Sequence, residues 1–156
     1  MKAILLLISI ALLSTSSYAC DCFWGGNFME ICNGTDLVVK VKVLKKLKDK
    51  RHFNHKMEVE IIEIFKGTET SKIINVWGDD GKECRPYIDY FETGGTYYLS
   101  LHNYNNEYEV MNCGETYLQV KKGNVYSDER LPKEHSLIGK MRVKKFESQL
   151  KSILIN

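Results

Sequence analysis

Asp36-Leu37-Val38-Val39-Lys40-Val41-Lys42-Val43-Leu44 alternates almost without a break. Leu37, Val39, Val41 and Val43 point one way, and Val38, Lys40 and Lys42 point the other. A period of two in a β-branched run predicts a strand with one face on a core and the other toward water. Met57 to Phe65 repeats the pattern, with Met57, Val59 and Ile61 set against Glu58 and Glu60. Lys45 to Lys56, between them, is polar and turn-like and reads as a solvated hairpin tip. Lys66-Gly67-Thr68 ends the second strand.

Outward from this pair, Lys72 to Trp77 predicts a third strand. Gly78 to Gly95 is a long Gly/Asp-rich connection carrying Cys84. Thr96 to Leu101 predicts a fourth strand, Asn103 to Asn106 a turn, Tyr108 to Cys113 a fifth strand, and Tyr117 to Val120 a short extension. From Lys133 onward, Leu137, Met141, Phe146, Leu150 and Leu154 recur at helical spacing with lysines between them, which predicts a C-terminal amphipathic helix. Five short strands and one helix point to a mainly β domain, a small closed or partly open five-stranded barrel of OB type with the helix packed on it. A β-sandwich needs about seven strands.

Residues 1–19 have the form of a secretory signal peptide: Lys2, an apolar run from Ala3 to Leu13, and Ser17-Tyr18-Ala19 as a small-x-small cleavage site. Cleavage after Ala19 leaves residues 20–156 as one domain, expected to be secreted and extracellular, that starts Cys20-Asp21-Cys22. The α-amine and carbonyl oxygen of a terminal cysteine can chelate a metal ion together. Two other readings of this terminus stay open: a plain disulfide staple to the body, and a lipid on Cys20 that would anchor the protein to an envelope or hold it in a periplasm. All five cysteines lie after residue 19, in an export context where disulfides persist. Five is odd, so at least one thiol is free or pairs with another molecule.

The formal charge of +2 falls to +1 without Lys2, too balanced for nucleic acid as the main ligand. Lys40, Lys42, Lys45, Lys46, Lys48, Lys50 and Arg51 cluster, however. They read as a solvated strand face, or as a contact for a glycosaminoglycan or anionic surface. No second apolar run reaches the roughly 20 residues of a membrane span. The sequence has no His-Glu-x-x-His, no Gly-x-Ser-x-Gly and no phosphate loop. Cys22, Cys84 and Cys113 are too scattered for a zinc ribbon. No enzyme and no cofactor of its own is expected.

Several residues together carry a likeness: the Cys20-x-Cys22 start, Cys32 soon after, Thr35-Asp36-Leu37-Val38-Val39-Lys40, a strand ending Phe65-Lys66-Gly67, isolated Cys84, Gly95-x-Tyr97-Tyr98-Leu99, and Cys113. In these the chain resembles the N-terminal, netrin-like domain of the tissue inhibitors of metalloproteinases, over about residues 20–120. The resemblance implies a five-stranded OB barrel, disulfide-linked through Cys20 to Cys84 and Cys22 to Cys113. It also implies a rigid ridge of Cys20, Asp21, Cys22 and the loop Glu83-Cys84-Arg85 that enters the cleft of a zinc metalloprotease. There the amine and carbonyl of Cys20 would chelate the target's catalytic zinc. Asp21 stands where the family favours Thr or Ser in the protease's main specificity pocket, so either the target has a basic or polar pocket or inhibition of ordinary matrix metalloproteinases is weak; the alternative is a non-inhibitory extracellular netrin-like module that binds protein or polysaccharide. Cys32 matches the family's third cysteine, whose partner lies near the domain's end; no cysteine follows Cys113 here, so the resemblance implies that Cys32 is a lone thiol and that the C-terminal helix is held by packing alone.

Overall fold

The computed structural model describes residues 23–49, 53–79, 85–131 and 139–154. Residues 1–19, Cys20, Asp21, Cys22, Glu83, Cys84 and Leu137 lie outside the described residues. The elements are α1 (Phe28–Ile31), β1 (Leu37–Lys48), β2 (Asn54–Lys66), β3 (Ile73–Trp77), β4 (Thr96–Tyr104), β5 (Glu107–Val110), β6 (Tyr117–Lys121), β7 (Asn124–Tyr126), β8 (Lys140–Arg142) and α2 (Val143–Leu154).

The expected mainly β architecture is present. β1 pairs antiparallel with β2 on one edge and with β4 on the other. β2 pairs with β3, β3 runs parallel to β5, and β5 returns antiparallel to β4. The circuit β1-β2-β3-β5-β4-β1 closes a five-stranded barrel, and β6, β7 and β8 extend the sheet from β4. The alternation in residues 36–44 explains the closure. Leu37, Val39, Val41 and Val43 are all buried inside, joined by Met57 and Val59 from β2, Val76 from β3 and Leu99 and Leu101 from β4.

The outward face of β1 is not wholly solvated. Val38 is fully buried in a second cluster with Phe28, Tyr98, Phe146 and Leu150, so α1 and α2 cover this side of the barrel. In α2, Phe146 and Leu150 lie one turn apart and form the buried stripe. Glu147, between them, accepts hydrogen bonds from Tyr98 Oη (2.6 Å) and Lys40 Nζ (2.9 Å) and fixes the helix on the sheet.

Three boundaries differ from expectation. The helix begins at Val143, ten residues after Lys133, and Met141 lies in β8, where it packs partly buried on the second cluster. Apolar spacing alone does not distinguish a three-residue strand followed by a helix from one longer helix. β5 stops at Val110, which leaves Cys113 in the loop beyond it. The connection from Gly78 to Gly95 is partly ordered: a 3-10 turn spans Ile88–Tyr90, and Ile88 and Phe91 are buried in the barrel core.

Candidate functional site

Because β3 and β5 run parallel, with Val76 opposite Tyr108 and Trp77 opposite Glu109, both strands end on the same rim of the barrel. The chain after β3 folds back there. Asp79 N–H donates to Pro86 O at 3.0 Å. A Cβ on Gly78 would sit 2.6 Å from both Pro86 O and Ile88 Cδ1, so this close approach requires glycine. Arg85 then pairs with Glu109 of β5 at 2.5 Å, both side chains mostly shielded. Arg85 was expected in a protease-contacting loop. Its guanidinium is engaged with Glu109 and anchors the segment that follows Cys84.

The N-terminal segment packs on the same rim. Gly26 O accepts from Glu115 N–H at 3.0 Å, and the buried carboxylate of Glu115 accepts from Phe28 N–H at 3.2 Å. A Cβ on Gly25 would lie 2.4 Å from Cys113 O, and one on Gly114 would lie 2.9 Å from Gly26 O. Two backbones touch here, which only glycines permit. α1 starts directly afterwards with a capping box: Asn27 Oδ1 accepts from Met29 and Glu30 N–H, and Glu30 Oε2 accepts from Asn27 N–H. Burial pushes the carboxyl of Glu115 up from its ordinary value, opposed by its hydrogen bonds.

Of the expected site residues, Arg85 and Cys113 are described. Cys113 is disulfide-bonded to a cysteine outside the described residues. Residue 23 follows Cys22 and residue 85 follows Cys84; Gly25 packs on Cys113 O, and Arg85 pairs with Glu109, four residues before Cys113. Phe23 is 98% exposed. Cys32 lies elsewhere, as a free and fully buried thiol in the second cluster. Burial pushes it up to about 12, so it is protonated and inert at neutral pH.

The lysine run is partly matched by acidic side chains. The β1–β2 register sets Lys40, Lys42 and Lys45 opposite Glu63, Glu60 and Glu58. Lys45 pairs with Glu58 at 3.1 Å, Lys46 with Asp89 at 3.5 Å, and Lys40 with Glu147. Glu60 and Glu63 pair instead with Lys72 and Lys151, and Lys50 and Arg51 lie outside the described residues, so only part of the run's charge is matched here.

A cluster not foreseen from the sequence lies beside the rim. Arg130 grips Asp128 through Nε (2.8 Å) and Nη2 (2.7 Å), and its guanidinium stacks 3.2 Å above the centre of the Tyr90 ring. Tyr117 Oη donates to Asp128 and accepts from Arg130. Burial and the adjacent carboxylate push the Tyr117 phenol far up, so it stays protonated. Asp128 is lowered: burial opposes ionisation, but Arg130 and Tyr117 outweigh it. Tyr90, Tyr117 and Arg130 are far apart in sequence, and no spacing announces their meeting.

No protein-family model matches the chain, and no curated protein matches it. Among the described residues, no group of three or more His, Cys, Asp or Glu side chains comes together as a metal site. No helix among them is long and apolar enough to cross a membrane.

Proposed function

We propose that the protein is a secreted inhibitor of zinc metalloendopeptidases, built on an OB-type, netrin-like barrel, that acts through the amine and carbonyl oxygen of a mature N-terminal Cys20. The strand circuit supports the OB part of this reading. The observation that carries the functional part is the glycine-mediated contact of Gly25 and Gly26 with Cys113 to Glu115. It brings the segment after Cys22 to the rim where Arg85, next to Cys84, is already anchored. Disulfides from Cys20 to Cys84 and from Cys22 to Cys113 fit that convergence.

A catalytic zinc keeps three protein ligands and one open position holding water. In this reading the Cys20 amine and carbonyl displace that water as a bidentate ligand. The binding form is the neutral amine, and an ordinary α-amino pKa of about 7.7–8.0 makes its deprotonation inexpensive near neutral pH. Each bridge contributes roughly 4 kcal/mol in the chain-entropy account and holds the terminus in its binding geometry, which lowers the ordering cost of association. Asp21 would enter the specificity pocket. A carboxylate there is costly unless paired, so the preferred target offers a basic or polar pocket. Exposed Phe23 supplies apolar area next to it.

One added residue decides the mechanism. The mature protein should inhibit a member of a panel of zinc endopeptidases, and the same protein with one alanine ahead of Cys20 should not, while melting at the same temperature. Inhibition retained by the extended protein would refute chelation by the terminus.

A further inference from the structure

Beside the rim, two grooves of about 590 Å³ and about 360 Å³ share Tyr90, Tyr117, Asp128 and Arg130 as their common wall. Their lining is unusual in three ways. Its apolar surface is almost entirely tyrosine: Tyr90, Tyr97, Tyr117 and Tyr126 in the larger groove and Tyr87 in the smaller, with Pro86 and Leu131 the only non-aromatic apolar side chains. Its charges are of both signs: the larger groove carries Lys121, Lys122 and Arg130 with Asp128 and Glu129, and Arg130 is gripped by Asp128 within it. The planar polar groups are also held in place, since Gln119 Nε2 donates to Tyr97 Oη and Asp128 is gripped on two sides.

The walls continue as a row of rings. Phe53 meets Tyr87 edge to face at 6.0 Å, and Tyr87 meets Tyr90 edge to face at 5.5 Å. Tyr87 is 42% and Tyr90 43% exposed, high for tyrosines fixed in such a row. Exposed rings that are rigid and carry hydroxyls can stack an apolar C–H face and hydrogen-bond its substituents together.

These features select a ligand class. A peptide anchored by aliphatic side chains finds almost no aliphatic lining here. A strongly charged ligand needs a lining of one sign, and the grooves mix both. A hydroxyl-rich ligand with apolar faces and no net charge uses both kinds of surface present. We propose that the Tyr87–Tyr90–Tyr117 groove, braced by Asp128 and Arg130, binds an uncharged oligosaccharide. The proposal does not depend on the inhibitor reading.

Affinity electrophoresis and titration calorimetry of the mature protein with xylohexaose, laminarihexaose, chitohexaose and a heparin hexasaccharide test this. The expected result is binding of at least one neutral hexasaccharide, weakened roughly three- to tenfold by Tyr87→Ala, in line with the loss of one stacked ring. Tyr90→Ala should weaken it further. Tyr104→Ala, which removes a 66% exposed tyrosine outside both grooves, should leave it unchanged. Circular dichroism melts of all three variants separate lost binding from lost fold. Tyr87→Ala is fully exposed to this comparison, because its ring contributes to no buried cluster. Failure of every neutral hexasaccharide to bind, binding of heparin alone, or equal binding by folded Tyr87→Ala and the parent would each overturn the proposal. An alanine-extended N-terminus should bind the sugar normally, which keeps this result distinct from the inhibition assay.

Discussion

The barrel interior and the barrel rim are held together by different physics. Inside, Val39, Val41, Val59, Val76, Leu99 and Leu101 are all fully buried and share their contacts, so no single pair fixes the arrangement. At the rim, position depends on a few single atoms: Gly25 against Cys113 O, Gly26 O on Glu115 N–H, Phe28 N–H on the Glu115 carboxylate, Arg85 on Glu109. Redundant packing gives stability. Sparse, directional contacts give placement, which the inhibitory terminus proposed above needs more. Changes inside should therefore cost stability, and changes at the rim should cost geometry first.

The sharpest break is inside. Leu99→Ala removes a fully buried side chain facing the barrel axis and should cost about 2–5 kcal/mol in denaturant titration. A cost under about 1 kcal/mol would mean the interior is not the close-packed core described. At the rim, Gly25→Ala puts a methyl where a backbone oxygen already stands. Overpacking of this kind costs about 1–3 kcal/mol. The shifted terminus should lose inhibition at a temperature where the variant remains folded. If Gly25→Ala inhibits as well as the parent, the rim contact does not position the terminus.

Smaller effects test the links between the regions. Tyr98→Phe removes the hydroxyl that joins the barrel to α2 through Glu147 and should cost about 1 kcal/mol, seen as a lower denaturant midpoint with an unchanged slope. The smallest effect concerns Glu115. Burial raises its folded pKa above the ordinary 4.5, so the native state holds this proton more tightly than the unfolded chain. The stabilisation is complete below the unfolded pKa and is lost as pH rises through the folded pKa. Glu115→Gln keeps an oxygen for Phe28 N–H and cannot ionise. It should flatten this part of the stability–pH curve, and a curve parallel to the parent's would place the titration elsewhere.

The sequence made the interior legible and the rim only partly so. Alternation in residues 36–44 and 57–65 reports one buried face directly, because each strand residue faces in or out by parity. The same parity assigned Val38 to solvent, since nothing in β1 records that α2 would cover it. Tyr98 and Val38 meet Phe146 only through tertiary packing. β7 and β8, three residues each, are too short to show a period. The lysine run reads as an interaction patch because the partners of Lys40, Lys45 and Lys46, namely Glu147, Glu58 and Asp89, lie on other elements. Counting cysteines leaves one over, and the resemblance assigns it to Cys32. Its inertness follows from neither, since that comes from burial. Gly25-Gly26 reads locally as a turn, and its role in meeting Cys113 depends on a contact nearly ninety positions away.

The convergence at the rim is the central claim, and a peptide map of the mature protein without reduction tests it most directly. The account predicts an N-terminal Cys20, crosslinked peptides joining Cys22 to Cys113 and Cys20 to Cys84, and one thiol, on Cys32, that alkylates only after unfolding. A bridge from Cys113 to Cys84, or an N-terminus blocked or displaced from Cys20, would contradict it.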